Sequence, residues 1–200
     1  MSSFTQSATQ TLLAHQEITH PANVVGTPVA CAGWISIQVT AWLANVEVTA
    51  NATGVAFIIQ GSIETSGNDW FDLVRFTGST TAAETEVFTA TEPITETVLA
   101  VASTTNLTVG DVIYLKDDTG VAESEWAEIV AVAAGASITI LDGLITQKVA
   151  DDDIYDQAQK FTALVMCDGL KRIRAAVVHQ AATGSDLRVK CTAVAATAIA

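Results

Sequence analysis

A two-residue alternation of apolar and polar side chains is the feature that most constrains the fold of this chain. From residue 34 to residue 42 the two classes take alternate positions: Ile35, Ile37, Val39 and Ala41 against Ser36, Gln38 and Thr40. Successive side chains of a β-strand point to opposite faces of a sheet, so this period predicts a half-buried strand. Similar runs at residues 55–62 and 70–76, bounded by Gly- and Asn-containing turns, predict further short strands.

The residue types favour strands along most of the chain. Half of the residues are hydrophobic, which excludes a disordered chain, and Thr and Val are abundant. Short helical turns are expected only near residues 9–16 and 150–158. The predicted fold is all-β, a jelly-roll-like antiparallel β-sandwich with an inserted small β-barrel or β-roll module and an extended N-terminal arm.

Composition and turn signals divide the chain into three parts. Residues 1–30 are predicted to be the N-terminal arm, residues 31–93 and 157–200 the sandwich body, and residues 94–156 the inserted acidic module. Within the module, four short apolar runs are expected to be strands: residues 98–101, 112–115, 127–132 and 137–141. Gly-containing links separate these runs, as in a small barrel.

The N-terminal arm and the C-terminal segment supply the candidate interface residues. The arm is weakly periodic, and its apolar side chains are expected to dock on a neighbouring subunit: Phe4, Leu12, Leu13 and Ile18. The C-terminal segment is predicted to form a hairpin in which Ala175 pairs with Cys191. That register places four basic side chains on one face, where an acidic partner is expected: Arg172, Arg174, Arg188 and Lys190.

The net charge of −13 is concentrated in one part of the chain. Residues 84–156 contain 15 acidic and 2 basic residues, whereas the remainder contains 7 of each. An acidic surface disfavours nucleic-acid binding, because phosphate neutralisation needs Lys and Arg. We therefore expect an exposed acidic module on a neutral body that makes contacts.

No sequence pattern indicates an enzyme or a cofactor. Phosphate-loop, dinucleotide, zinc-protease and nucleophile-elbow motifs are absent, and the three Cys are predicted to be buried free thiols. No metal site is predicted, and the weak Ca²⁺ candidate is a run of carboxylates: Asp151, Asp152, Asp153 and Asp156. Uncharged residues 18–46 contain too many polar residues and prolines for a membrane span, and no signal peptide is indicated.

Three stretches resemble structural proteins of tailed-bacteriophage virions. They are a strand, turn and Trp-led strand, a small β-module, and a closing segment: residues 60–62 with 68–73, 107–115 with 125–130, and 172–175 with 182–190. The similarity is to capsid decoration (cement) proteins in particular. It implies a non-enzymatic protein of the capsid surface, made in the bacterial cytoplasm and binding the major capsid protein and copies of itself, as a homotrimer.

Two alternatives remain open at this point. The first is a tail, neck or head-fibre component whose inserted lobe faces a receptor. The second is a carbohydrate-binding β-sandwich module, which needs an aromatic platform that four tryptophans scattered along the sequence do not indicate.

Overall fold

The computed structural model describes residues 4–19, 22–46, 54–78, 85–179 and 186–198, and strands dominate these ranges. The strands are β1 (Phe4–Gln6), β2 (Gln10–Thr19), β3 (Ala22–Val25), β4 (Val29–Ala30), β5 (Trp34–Asn45), β6 (Val55–Ser62), β7 (Phe71–Gly78), β8 (Thr85–Val87), β9 (Val98–Ala100), β10 (Val112–Leu115), β11 (Glu125–Ala133), β12 (Ser137–Ile140), β13 (Asp153–Met166), β14 (Arg172–His179) and β15 (Asp186–Ala198). A single 3₁₀ turn, Val121–Glu123, is the one helical element of the described residues. The all-β prediction is confirmed.

Two antiparallel sheets face each other in the body of the molecule. The large body sheet runs from β1 and β2 through β15 and β5 to the second half of β13, and the small body sheet contains β3, β4, β14, β6 and β7. The predicted alternation places Ile37, Val39 and Ala41 of β5 in the core between the sheets, in the same buried cluster as Ile59 and Val177 of the small sheet. The predicted antiparallel sandwich is therefore confirmed.

The acidic segment forms a small closed barrel at one end of the large sheet. Its strands follow the order β8, first half of β13, β10, β11, β12 and β9. A bridge between Phe88 and Val101 joins β9 back to β8, so the ring of strands is complete. A second apolar core fills the barrel, with Phe88, Ile113 and Ile138 fully buried. Both β8 and Phe88 belong to the barrel but precede residue 94, where the module is predicted to begin. Pro93 lies in the connection from β8 to β9, so it does not mark the boundary of the module.

The predicted C-terminal hairpin does not form. Strand β14 pairs with β6, whereas β15 pairs with β5 in the opposite sheet. Ala175 and Cys191 are both buried, but they face one core from its two sides. Each strand has one apolar face, and that pattern is the same whether two strands pair side by side or face each other across a sandwich. The turn predicted at residues 182–186 falls almost entirely on residues 180–185, which lie outside the described residues.

The described residues of the predicted N-terminal arm are part of the body. Strand β2 pairs with β15 over most of its length, and Leu12, Leu13 and Ile18 are buried in the body core of the same chain. Phe4 begins β1, whose backbone pairs with Ala198. Two register shifts against β15 interrupt the alternation in β2, so that two consecutive leucines are buried. This irregularity explains the weak periodicity of the sequence, and the helical turns predicted near residues 9–16 and 150–158 fall mostly in β2 and β13.

Candidate functional site

Beyond the row Lys160–Trp42–Lys190, the outward face of the large body sheet carries no charged side chain across β13, β5 and β15. Three rows cross it in register from β13 to β15, and Gln6 of β1 extends the last: Thr162–Thr40–Thr192, Leu164–Gln38–Val194 and Met166–Ser36–Ala196. We call these ten residues the uncharged face. Leu164 is 70% exposed and Met166 60% exposed. A contiguous uncharged surface with exposed apolar side chains is typical of the centre of a protein interface.

The barrel meets the body through a cluster of aromatic side chains. The junction cluster consists of His15 and Trp42 from the body, and Tyr114 and Trp126 from the barrel. His15 Nε2 lies 3.1 Å from the Tyr114 hydroxyl, and the His15 and Trp126 ring centroids are 4.7 Å apart. Trp42 and Trp126 are 6.5 Å apart between centroids. These contacts join residues far apart in sequence, so they depend on the strands β2, β5, β10 and β11 that hold them.

Partial burial keeps the His15 ring neutral near pH 7. Its pKa is lowered from 6.5 to about 4, mainly by desolvation and in addition by the positive charges of Lys190 and Arg188. The Tyr114 pKa is raised, mainly because its phenol is desolvated as well. The folded junction therefore favours the neutral form of the His15 imidazole.

Acidification is expected to weaken this junction. Because the His15 pKa is lower in the folded state, the unfolded chain binds a proton first as the pH falls below 6.5, and the stability decreases until about pH 4. For a partly exposed ring we expect a loss of about 1–2 kcal/mol. Denaturant unfolding of the wild type and of His15→Gln, at neutral pH and near pH 4, measures this loss. An equal loss in both proteins would assign the pH dependence to other groups.

The four predicted basic interface residues lie on two opposite surfaces. Arg172 and Arg174 are on the small sheet, with guanidinium carbons 4.7 Å and 4.1 Å from the Trp70 ring centroid. On the large sheet, Arg188 forms a 2.8 Å ion pair with Glu17, and the Lys190 Nζ lies 5.5 Å from the Trp42 centroid. The single basic face expected from the hairpin is wrong, because β14 and β15 belong to different sheets.

The four carboxylates of the Ca²⁺ candidate lie in different surroundings. Asp152 accepts a 2.8 Å hydrogen bond from the Val149 backbone N–H, and Asp153 pairs with Lys116 at 3.2 Å. Asp151 is exposed and has a positive φ of 73°, whereas Asp156 is buried. No group of three potential metal ligands occurs among the residues that the structure describes. The weak Ca²⁺ candidate is therefore wrong, because these side chains do not converge on one point.

A buried ion pair holds the loop before β13 against β11. Lys148 is fully buried, and its Nζ lies 3.6 Å from Glu125 Oε1 and donates to the Glu123 carbonyl and to Thr146 Oγ1. The Glu125 carboxylate also accepts the backbone N–H groups of Ile145 and Thr146, at 3.0 Å and 3.2 Å. The loop and the strand are thus joined by hydrogen bonds to both charges.

The sequence contained a signal for the uncharged face but none for the junction. The polar positions of the β5 alternation are the residues Ser36, Gln38 and Thr40 of the uncharged face, although their neighbours on β13 and β15 follow only from the register. The Trp42–Trp126 pair joins two segments with no shared pattern. The scattered tryptophans thus supply the neighbouring aromatic residues that the sequence alone does not indicate.

Comparisons with known proteins give no family for the chain. No family model and no curated protein matches it. Among solved structures it is similar to the infectious bursal disease virus Gx strain at 10% identity and a TM-score of 0.29, covering 98% of this chain and 42% of that one. It is also similar to the VP2 subviral particle of infectious bursal disease virus at 8% identity and a TM-score of 0.23, covering 97% and 41%. The chain thus spans less than half the length of these proteins.

No helix in the described ranges has the length and apolar character needed to cross a membrane.

Proposed function

We propose that this protein is a structural component of a virus particle, and more narrowly a decoration (cement) protein of an assembled phage head. It would bind neighbouring major capsid proteins and copies of itself, as a homotrimer, without catalysing a reaction. The observation that carries the proposal is that two surfaces of the molecule differ in charge. The large body sheet has an uncharged face, and the barrel at the end of this sheet is acidic.

The uncharged face suits a surface that becomes buried on assembly. Burying a charged group costs much desolvation free energy, and burying the neutral polar side chains of Thr, Ser and Gln costs less. Burying the apolar side chains of Leu164 and Met166 is favourable. A protein that binds only the assembled lattice stabilises it by mass action. The acidic barrel suits the outer surface of such a particle, because like charge keeps particles apart in solution.

Placing charge on the uncharged face is expected to abolish attachment. The double variant Leu164→Glu and Met166→Glu changes two exposed positions, so we expect a stability within about 0.5 kcal/mol of the wild type. Burying two unpaired carboxylates against a capsid should weaken binding by at least about 100-fold. Co-sedimentation with assembled heads of the virus that encodes the chain measures this loss.

The matched control is Val130→Glu, which adds a carboxylate at a 40% exposed position of the barrel. It is expected to bind heads like the wild type, since the barrel faces solvent in the proposal. Wild-type binding by the double variant would contradict a role for the uncharged face. A copy number far below that of the major capsid protein would contradict decoration and favour a tail, neck or head-fibre component.

A further inference from the structure

The junction between barrel and body contains two adjoining cavities with a shared aromatic wall. Their volumes are about 340 Å³ and 150 Å³, and Trp42, Trp126, Glu125 and Ile145 line both. The larger is within the range of about 300–1,000 Å³ of small-molecule sites, which often lie between two folded units. Ile145 is 71% exposed, so the wall continues to the surface as an apolar rim.

The two indoles lie in different units of the fold and are held in place by their neighbours. Trp126 packs against His15 and Tyr114, with centroid separations of 4.7 Å and 4.8 Å. Trp42 lies between Lys160 and Lys190 in the register of the large sheet. Both tryptophans remain partly exposed. The structure therefore presents a pre-formed aromatic surface, which reduces the ordering cost of binding.

Polar groups of both signs surround this aromatic surface. Lys160 and Glu128 form an ion pair at 3.3 Å and are more than one-third exposed at their side chains, so they retain hydrogen-bonding capacity. Lys190 lines the larger cavity, and Asp142 lines the smaller one. The Glu125 carboxylate is already occupied by Lys148 and by two backbone N–H groups. The rim thus offers donors and acceptors in balance, without a dominant charge.

This combination fits a neutral sugar better than other small ligands. A pyranose ring has one apolar face that packs on an indole and a circumference of hydroxyl groups that need donors and acceptors. A phosphorylated ligand would meet the strongly acidic barrel. A peptide strand would need a free sheet edge, whereas β11 is paired on both sides, with β10 and β12.

We propose that the cleft between Trp42 and Trp126 binds a neutral saccharide, with the sugar ring packed on the indoles and its hydroxyl groups bonded by Lys160, Glu128 and Lys190. The site shares no residue with the uncharged face, although the row Lys160–Trp42–Lys190 adjoins it on the same sheet. Binding here does not require the proposed capsid role. The two proposals can therefore fail separately.

Saturation-transfer NMR on the full chain tests the site with defined probes. The probes are maltotriose, cellotriose, mannotriose and triacetylchitotriose, each at millimolar concentration, with adenosine monophosphate and trialanine as non-saccharide probes. At least one trisaccharide is expected to bind, and the two other probes are not. Absence of binding by all four trisaccharides, or stronger binding of the nucleotide or the peptide, would overturn the proposal.

Variants locate the binding in the cleft. Trp126→Phe keeps an aromatic ring in the junction, and Glu128→Gln changes only a partly exposed rim group, so both should fold. Each is expected to weaken the trisaccharide about tenfold. The matched control Trp70→Phe alters an indole on the small sheet and should leave affinity unchanged. Unchanged affinity in both cleft variants, or an equal loss in Trp70→Phe, would place the sugar elsewhere and refute the site.

Discussion

A chain that begins at residue 31 is expected not to fold. The deletion removes β1–β4, including Leu12, Leu13 and Ile18, which are at most 2% exposed in the body core. Burying three such side chains contributes roughly 5–9 kcal/mol, which is comparable to the whole stability of a typical domain, roughly 5–15 kcal/mol. The deletion also leaves the β15 and β14 edges without their partners β2 and β3. Loss of the cooperative unfolding transition, measured by circular dichroism, is the expected result.

A point substitution tests the same structure without removing any chain. A β-carbon at Gly26 would overlap the backbone carbonyl oxygen of Leu12, which cannot move away without disturbing β2. Gly26→Ala is therefore expected to destabilise the protein by about 3 kcal/mol. Gly67→Ala is the control for the glycine substitution itself, because its β-carbon would meet no atom within 4 Å, although its positive φ of 85° adds some strain. A folded deletion protein together with a harmless Gly26→Ala would restore the interpretation of residues 1–30 as an arm.

Local alternation predicts strands well, but it does not specify which strands pair. The period of two in β5 correctly identified the buried residues Ile37 and Val39, and the four short apolar runs of the acidic segment correspond to β9–β12. Each of these features depends on neighbours within a few residues. A single sequence therefore predicts which side chains of a strand are buried and which are exposed.

Pairing depends on contacts between distant segments, and there the sequence was ambiguous. β14 and β15 are adjacent in the chain and apolar on one face, so a hairpin and a crossing between sheets produce the same pattern. The register shifts in β2 interrupt its alternation, so the sequence predicted an irregular arm where the structure has a core strand. The Trp42–Trp126 pair depends on how the barrel sits on the body. These three features could be identified only from the tertiary structure.

Replacing Lys148 by methionine is expected to destabilise the barrel by about 3–5 kcal/mol. Methionine occupies a similar volume, but it leaves the Glu125 carboxylate buried without its cation, and an unpaired buried charge is strongly destabilising. The Glu123 carbonyl and the Thr146 hydroxyl lose their donor as well. Denaturant unfolding monitored by tryptophan fluorescence measures the change, because Trp126 lies at the base of the barrel.

Lys116→Met is the matched control, since it removes another lysine of the same barrel. Lys116 pairs with Asp153 at 3.2 Å, but both side chains are 29% exposed, so water can solvate the remaining carboxylate and the loss should be below about 1 kcal/mol. Adding Glu125→Gln to Lys148→Met should recover part of the stability, because the amide oxygen still accepts the Ile145 or Thr146 N–H without a buried charge. Equal losses in the two single lysine variants would contradict the ion pair as the cause. The loop before β13 would then be held against β11 by packing and not by the charge of Lys148.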